Sequence, residues 1–227
     1  MSQAALVAVV GNPNAGKSAL FNALTGARQK VGNYPGVTVE RHVGQWRLAD
    51  GRTVEMIDLP GAYGLDPSSP DEAVTRDVRL GKQQGERLPD ALLIVVDASN
   101  LDNHLRFALQ LIALGLPTII ALNMADLARR DGLELDPARL EAELGVPVIE
   151  TVAVRKRGIG DLDTAIAALL ERPRTIRAGD GPSHDPLLLQ RRARDIAVKA
   201  IVRETPVRRI THRLDAVLLH PIAAYFL

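Results

Sequence analysis

Long apolar runs alternate with mixed polar and apolar segments over the first three quarters of the chain. Residues 88–97 and 118–122 are almost continuously apolar, a pattern typical of parallel strands buried on both faces. Residues 39–48 and 52–57 instead alternate on either side of the turn-forming stretch 49–52, which predicts a hairpin. The predicted strands are 5–10, 39–48, 52–57, 88–97, 118–122 and 146–150.

Helix-forming segments fill the intervals between these strands. The predicted helices are 19–26, 73–84, 101–114, 136–144 and 159–170. Residues 31–40 contain two glycines and a proline, so we expect a mobile loop there. Strands and helices that alternate from Leu6 to Leu170 predict a doubly wound, mostly parallel α/β sheet, in which ligands bind at the carboxyl ends of the strands.

The pattern changes after Glu171. Prolines and glycines predict a linker, and helices with basic faces follow it. The linker segments are 172–174 and 179–183, and the helical segments are 186–204 and 211–219. We therefore predict a ligand-binding domain over residues 1–171 and a small all-helical domain over residues 172–227.

The first predicted strand runs into Gly11-Asn12-Pro13-Asn14-Ala15-Gly16-Lys17-Ser18, and a helix follows. A phosphate-binding loop requires this order of strand, glycine-bracketed turn and helix. Gly11 and Gly16 leave room for backbone N–H groups to face a polyphosphate, and the start of the helix adds a positive field. Lys17 would reach the terminal phosphates, and the Ser18 hydroxyl would bind Mg²⁺. The alternative, a glycine-rich turn without a ligand, is disfavoured by this context.

Two later segments predict the switches of a nucleoside triphosphatase. Thr38 lies 20 residues beyond Ser18, as the second magnesium-binding hydroxyl of a GTPase switch does. Asp58 directly follows a predicted strand and lies three residues before Gly61. The Asp58 carboxylate would hold Mg²⁺ through water, and the Gly61 N–H would contact the γ-phosphate. Each signal is weak alone, but both are in register with the phosphate loop.

Asn123-Met124-Ala125-Asp126 follows a buried strand and predicts which base is bound. The Asp126 carboxylate can accept hydrogen bonds from N1–H and N2–H of guanine, donors that adenine lacks. A buried carboxylate left without partners costs free energy, so adenine would be rejected. Asn123 would tie the loops together, and residues 151–155 would carry the other guanine contact. Helix capping by Asp126 is the alternative interpretation.

Composition and charge restrict the class of protein. The 227 residues are 46% apolar and 24% charged, which is ordinary for a soluble α/β protein. The chain has no cysteine, so a disulfide framework and a thiolate metal site are excluded. The net charge is +1, but residues 171–213 contain eleven Lys and Arg against five acids, which predicts an anionic neighbour such as a membrane surface or RNA. No signal peptide is evident, and the apolar stretch 216–227 is shorter than the about 20 residues that cross a bilayer.

The chain resembles the cytoplasmic N-terminal region of FeoB, the bacterial ferrous iron transporter family. The resemblance rests on Gly11-Asn12-Pro13-Asn14-Ala15-Gly16-Lys17-Ser18, on Val31-Gly32-Asn33-Tyr34-Pro35-Gly36-Val37-Thr38-Val39-Glu40, on Asp58-Leu59-Pro60-Gly61-Ala62-Tyr63-Gly64-Leu65 and on Asn123-Met124-Ala125-Asp126. It covers essentially the whole chain. It implies a P-loop GTPase (Ras-like) domain, then a helical regulatory domain, then membrane helices that would begin near Ala216.

The resemblance also implies roles for single residues. The expected catalytic residues are Lys17, Thr38 and Gly61. The expected Mg²⁺ ligands are Ser18, Thr38 and Asp58, and Asn14 is a candidate K⁺ ligand, as in related potassium-stimulated GTPases. The expected nucleotide-binding residues are Gly11, Asn12, Pro13, Asn14, Ala15, Gly16, Lys17, Ser18, Ala19, Asp58, Gly61, Asn123, Met124, Asp126, Val152, Ala153 and Val154.

Two positions depart from the family pattern. Ala62 stands where many GTPases have a water-orienting glutamine, so we expect slow intrinsic hydrolysis, on the order of 10⁻⁴ to 10⁻² s⁻¹. Val152-Ala153-Val154 stands where the family often has a hydroxyl residue. A weaker hold on the base and faster GDP release are expected from this loop.

The function that the resemblance implies is a slow, Mg²⁺-dependent, K⁺-stimulated GTPase, which binds GTP and GDP and whose switch loops regulate ferrous iron uptake. The implied partners are the transmembrane iron-permeation domain of the same full-length chain and, through the basic C-terminal region, the membrane surface. A second copy of the chain is a further candidate partner, through oligomerisation, and no nucleic acid is expected. The implied location is the cytoplasmic face of the bacterial inner membrane. The alternatives are a soluble ribosome-assembly GTPase with an RNA-gripping basic appendage, and a nucleotide-binding switch with negligible turnover.

Overall fold

A computed structural model describes residues 4–26, 29–34, 39–64, 87–171 and 185–205. Its strands are β1 Leu6–Gly11, β2 Gln29–Asn33, β3 Glu40–Arg47, β4 Thr53–Asp58, β5 Ala91–Asp97, β6 Thr118–Asn123, β7 Leu133–Leu135, β8 Val148–Glu150 and β9 Ile201–Glu204. Seven of them form one sheet in the order β2-β3-β4-β1-β5-β6-β8, and β7 pairs with β9 separately.

The large sheet is mostly parallel, as predicted. The central strand β1 pairs in parallel with β4 and β5, and parallel pairing continues through β6 to β8. The antiparallel part is β2-β3-β4, and its hairpin turn places Gly51 at a φ of 89°, which glycine adopts without strain. Because parallel strands point the same way, the carboxyl ends of β1, β5 and β6 lie at one edge of the sheet.

Helices cover both faces of this sheet. They are α1 Lys17–Thr25, α2 Leu101–Ile112, α3 Ala125–Arg130, α4 Pro137–Leu144, α5 Ile159–Glu171 and α6 Pro186–Ala200. In β1, Ala8 and Val10 belong to the core cluster that contains α2 and α6, whereas Val7 and Val9 belong to the cluster that contains α1 and α5. Successive strand residues face opposite sides, so burial on both faces explains the continuous apolar run.

Residues 29–33 form a strand at the edge of the sheet, although residues 31–40 are expected to be a mobile loop. Val31 pairs with His42 in an antiparallel ladder. A Cβ on Gly32 would meet no atom within 4 Å, and glycine at a sheet edge is tolerated. The loop prediction is wrong for residues 31–33, because strand β3 supplies backbone partners that the local sequence does not reveal.

The helix predicted over 186–204 ends at Ala200, and the next four residues form β9. These residues pair with β7 in an antiparallel arrangement, and the β-branched Ile201 and Val202 favour a strand. The prediction is therefore wrong for residues 201–204, where a partner strand overrides helix propensity. Several predicted segments lie outside the described residues: Pro35-Gly36-Val37-Thr38, 73–84, 172–174, 179–183 and 211–219.

Helix α6 packs against α2 and α4. Its buried residues, which belong to the same core cluster as β1 and β5, are Leu189, Ala193, Ile196, Ala197 and Ala200. The first described helix after Glu171 therefore shares a core with the sheet. The division of the chain at 171 stays a prediction, because most of residues 172–227 lie outside the described ranges. Within those ranges, no helix combines the length and the apolar character needed to span a bilayer.

Candidate functional site

The loop between β1 and α1 is tightly packed against its neighbours. Gly16 has a φ of 80°, in the left-handed region that glycine adopts readily. A Cβ on Gly11 would lie 2.5 Å from the Val95 carbonyl oxygen, and one on Gly16 would lie 2.3 Å from Asn123 Nδ2. Both glycines of the motif are therefore required by close approach, and α1 begins directly after them at Lys17.

Lys17, Ser18 and Asp58 converge where β4 ends. Lys17 Nζ lies 2.6 Å from Asp58 Oδ1, and Ser18 Oγ donates a long hydrogen bond of 3.5 Å to Asp58 Oδ2. The Lys17 and Asp58 side chains are about nine-tenths buried, so solvent screens their attraction only weakly. An ammonium group and hard oxygen donors thus share the positive end of α1.

The segment after β4 runs beside the phosphate loop. The Ala62 N–H donates to the Gly11 carbonyl oxygen over 3.3 Å. A Cβ on Gly61 would lie 3.1 Å from atoms of Pro13, so Gly61 lies against the loop. The Ala62 side chain is buried and carries no hydrogen-bonding group.

Asn123, at the end of β6, joins the phosphate loop to the loop after β8. Its Nδ2 donates to the Ala15 carbonyl oxygen over 3.0 Å. Its Oδ1 accepts hydrogen bonds from the Ala153 N–H at 3.1 Å and from the Thr151 hydroxyl at 3.3 Å. Asn123 is buried and tied to both loops, as its predicted role requires. Thr151 was not singled out from the sequence, because a threonine after a strand is common.

Asp126 lies in the first turn of α3, after Met124, whose φ is 60°. Its Oδ2 lies 3.5 Å from Arg155 Nη1, in the short helix Ala153–Arg155 of the predicted base-binding loop. Val154 in the same loop is 80% exposed. The sequence offered one signal for Arg155, its position two residues after Ala153, but exposed loop cations are too frequent for that signal to select it.

Asn12, Pro13 and Asn14 line one wall of a polar cavity of about 340 Å³ between the phosphate loop and α2. Asp97 and His104 line another part of it. The Asp97 N–H donates to His104 Nδ1 over 3.2 Å. Burial lowers the pKa of the His104 imidazole, and the Asp97 carboxylate opposes that shift.

The structure places the described site residues along one edge of the sheet. The phosphate-loop members are Gly11, Asn12, Pro13, Asn14, Ala15, Gly16, Lys17, Ser18 and Ala19, and the others are Asp58, Gly61, Asn123, Met124, Asp126, Val152, Ala153 and Val154. Thr38 lies outside the described residues. A helix start with a lysine, oxygen donors beside it and a carboxylate on the next loop fit a nucleoside polyphosphate with a hard divalent cation.

Comparison with known protein families identifies the family of the chain. A sequence model of the family described as Ferrous iron transport protein B matches residues 5–166. The chain belongs to this family. The Fe(2+) transporter FeoB of Shigella flexneri is 46% identical over 161 residues, which cover 70% of this chain and 20% of that protein. The FeoB of Escherichia coli (strain K12) is 45% identical over the same shares. The chain thus spans about a fifth of the length of these curated FeoB relatives.

Solved FeoB structures share the fold. The cytosolic domain of L. pneumophila FeoB has a TM-score of 0.66 and 40% identity, covering 72% of this chain and 68% of that one. The cytosolic domain of the T. maritima FeoB iron transporter in a GDP form has a TM-score of 0.71 and 35% identity, covering 78% and 67%. Its GMPPNP form has a TM-score of 0.70 and 36% identity, covering 75% and 65%. The predicted mostly parallel α/β fold of a P-loop GTPase is confirmed.

Proposed function

We propose that this chain is the guanine-nucleotide-binding and GTP-hydrolysing region of a ferrous iron transporter. The observation that carries the proposal is the buried Asn123 side chain, which bonds both the phosphate loop and the loop that faces Asp126. A phosphate site and a base site are thereby held at a fixed separation. The T. maritima FeoB structures in GDP and GMPPNP forms support a guanine nucleotide as the ligand.

The phosphate side of the site would bind and orient the triphosphate. Backbone N–H groups of residues 14–18 would surround the β-phosphate, and Lys17 would exchange part of its contact with Asp58 for the terminal phosphates. Ser18, Asp58 and Thr38 would hold Mg²⁺, which supplies neutralisation of charge on the phosphate oxygens. Asn14 would bind K⁺ in the same region.

Hydrolysis would transfer the γ-phosphoryl group to water. The water oxygen bonds to the γ-phosphorus, and the bond from that phosphorus to the β–γ bridging oxygen breaks, giving GDP and inorganic phosphate. Gly61 would donate its N–H to the γ-phosphate, and the Thr38 hydroxyl would bind Mg²⁺. Because Ala62 carries no polar group, backbone groups would orient the water, and turnover would be slow, on the order of 10⁻⁴ to 10⁻² s⁻¹.

The base side would select guanine through Asp126. Guanine offers N1–H and N2–H to the two carboxylate oxygens, whereas adenine offers an acceptor at N1 and no group at C2. A site built around two donors rejects a base that lacks them, because the carboxylate loses its water without gaining partners. The Ala153 backbone would supply a contact to the base, and the loop 152–154, which has no hydroxyl, would release GDP readily.

Isothermal titration calorimetry tests this function. With Mg²⁺ present, GTP and GDP should bind the purified chain at least about 100-fold more tightly than ATP, as expected for a site that pairs two donors. Asp126→Asn should move the preference to xanthine nucleotides, because the carboxamide can donate to the xanthine 2-oxygen. Equal affinity for ATP and GTP, or no binding of either, would contradict the proposal. Phosphate release with and without K⁺ separates a GTPase from a switch with negligible turnover.

The length and the names of the relatives support a wider role for the full-length protein. The curated FeoB proteins are about five times longer than the matched segment and are named Fe(2+) transporters. We infer a transmembrane iron-permeation domain in the full-length protein, regulated by the switch loops from the cytoplasmic face of the inner membrane. The basic residues after Glu171 would contact the membrane surface, and oligomerisation stays a prediction. The family match favours this role over that of an RNA-binding ribosome-assembly GTPase.

A further inference from the structure

We infer that Arg155 gates the base-binding site: its guanidinium pairs with the Asp126 carboxylate and has to leave that carboxylate for guanine to bind. The inference rests on the proposed function, because it takes Asp126 as the group that reads the base. The proposed function names residues that bind the nucleotide. This inference adds Arg155, which competes with the nucleotide for Asp126.

The contact joins two side chains of very different exposure. Arg155 Nη1 lies 3.5 Å from Asp126 Oδ2, and the Arg155 side chain is 65% exposed whereas that of Asp126 is 19% exposed. An exposed side chain that touches a mostly buried one approaches it from the solvent side. A base enters from the solvent side too, so Arg155 and guanine approach the same open part of the carboxylate.

The backbone around Arg155 is held in place, so the contact follows from the loop geometry. The Ala153 N–H donates to Asn123 Oδ1, and Val152 and Arg157 form an antiparallel bridge across the loop. Lys156 adopts a φ of 53° at the tip. The loop therefore presents Arg155 at a defined distance from Asp126, while the long exposed side chain keeps the freedom to swing away.

Arg155 and guanine compete for the same carboxylate oxygens of Asp126. Guanine needs both carboxylate oxygens as acceptors for N1–H and N2–H, and the positive guanidinium lies 3.5 Å from one of them, Oδ2. An ion pair of this exposure is worth up to about 1 kcal/mol, which corresponds to a factor of up to about five in an equilibrium constant. The gate thus tunes affinity and exchange of the nucleotide and leaves the choice of base to Asp126.

The test compares Arg155→Gln with Arg157→Gln. Both variants remove one positive charge from the same loop, so general attraction for the nucleotide phosphates falls equally in both. Stopped-flow association and dissociation of GDP, with Mg²⁺ at 50 mM salt, give the two rate constants. R155Q should bind GDP about two- to five-fold more tightly than R157Q, mainly through faster association. Arg155→Lys keeps a charge that can reach Asp126 and should stay near the wild-type chain.

Two further measurements connect the effect to the Asp126 carboxylate. At 500 mM salt the difference between R155Q and R157Q should shrink, because ions screen the Arg155–Asp126 pair. In the Asp126→Asn background, measured with xanthosine diphosphate, R155Q and R157Q should bind alike, because the ion pair no longer exists.

The outcomes separate this inference from the proposed function. If Asp126→Asn fails to shift the preference from guanine to xanthine, the assignment of the base site is wrong and the gate fails with it. If that shift occurs but R155Q matches R157Q at low salt, the gate alone is overturned. Weaker GDP binding by R155Q than by R157Q would also overturn it, because Arg155 would then support the base.

Discussion

Asn123 makes more connections between segments than its size suggests. One carboxamide joins Ala15 in the phosphate loop to Thr151 and Ala153 in the loop after β8, and all of these contacts are buried. Buried donors and acceptors that lose their partners cost more free energy than an exposed hydrogen bond returns. This side chain therefore helps to set the separation of the two halves of the candidate site.

Replacement of Asn123 by alanine should affect both stability and binding. The change leaves the Ala15 carbonyl oxygen and the Ala153 N–H without their partner, and we expect unfolding free energy to fall by about 2–4 kcal/mol. Urea unfolding measures this loss, and GDP titration should show at least a tenfold weaker affinity. Asn103→Ala is the control, because Asn103 makes an exposed hydrogen bond on α2 and should lose less than about 0.5 kcal/mol. Similar losses in both variants would contradict the role given to Asn123.

His104 should make stability depend on pH. Its pKa is lowered by burial in the folded chain, so between the folded pKa and the unfolded value of about 6.5 the unfolded chain binds more protons. The stabilising contribution of neutral His104 is complete above that unfolded value and is lost as pH falls through the folded pKa. The free energy of unfolding should therefore fall with acid, by no more than about 1.4 kcal/mol per pH unit for this one group.

Urea midpoints between pH 5 and 8 check the His104 prediction against His104→Asn. The asparagine oxygen can accept the Asp97 N–H that Nδ1 accepts in the wild-type chain, but it does not titrate. The wild-type chain should lose stability relative to the variant as pH falls. Parallel curves for the two proteins would show that protonation of His104 is not coupled to folding.

The sequence predicts candidate site residues wherever the proposed chemistry demands fixed spacing. Gly11, Gly16 and Lys17 could be predicted because a phosphate loop leaves few alternatives, and the packing around both glycines accounts for that restriction. Arg155 could not, because its importance comes from its distance to Asp126 in another loop. Contacts between residues far apart in the chain leave no local pattern.

At the scale of elements, the strands buried on both faces were the most predictable. Between their end residues β5 and β6 are entirely apolar, since helices cover both of their faces. The edge strand β2 and the short strand β9 were missed, because each depends on a partner strand rather than on its own residues. Pairing can thus override the glycine of β2 and the helical pattern that ends in β9.

Helix α6 offers a test of packing between elements. Ala197 is buried against the cluster that α2 and α4 share with the sheet, and its neighbour Val198 is 62% exposed. Ala197→Leu adds three carbon atoms to a filled space and should reduce unfolding free energy by about 1–3 kcal/mol. Val198→Leu, one residue away in the same helix, should change it by less than about 0.5 kcal/mol. Urea midpoints measure both, and equal effects would show that α6 does not pack on the sheet.

At the scale of the whole molecule, the candidate site takes its residues from several strands of the large sheet. The residues around the proposed nucleotide come from the ends of β1, β4 and β6 and from the loop after β8. Unfolding of any of these strands would separate the phosphate side from the base side. The shared core extends this coupling to α6, which lies beyond the predicted domain boundary at Glu171.

Unfolding should therefore be a single transition that includes α6 and responds to nucleotide. Trp46 is the one tryptophan of the chain and is buried in β3, so its fluorescence reports on the sheet, whereas circular dichroism at 222 nm reports on all helices. The two signals should share one midpoint in urea. GDP at 100 times its dissociation constant should raise the free energy of unfolding by about 2.7 kcal/mol in both signals, and ATP at that concentration should not. A helical signal that lags behind the fluorescence and ignores GDP would instead place α6 in an independently folding unit, because binding energy reaches only those elements that unfold together with the site.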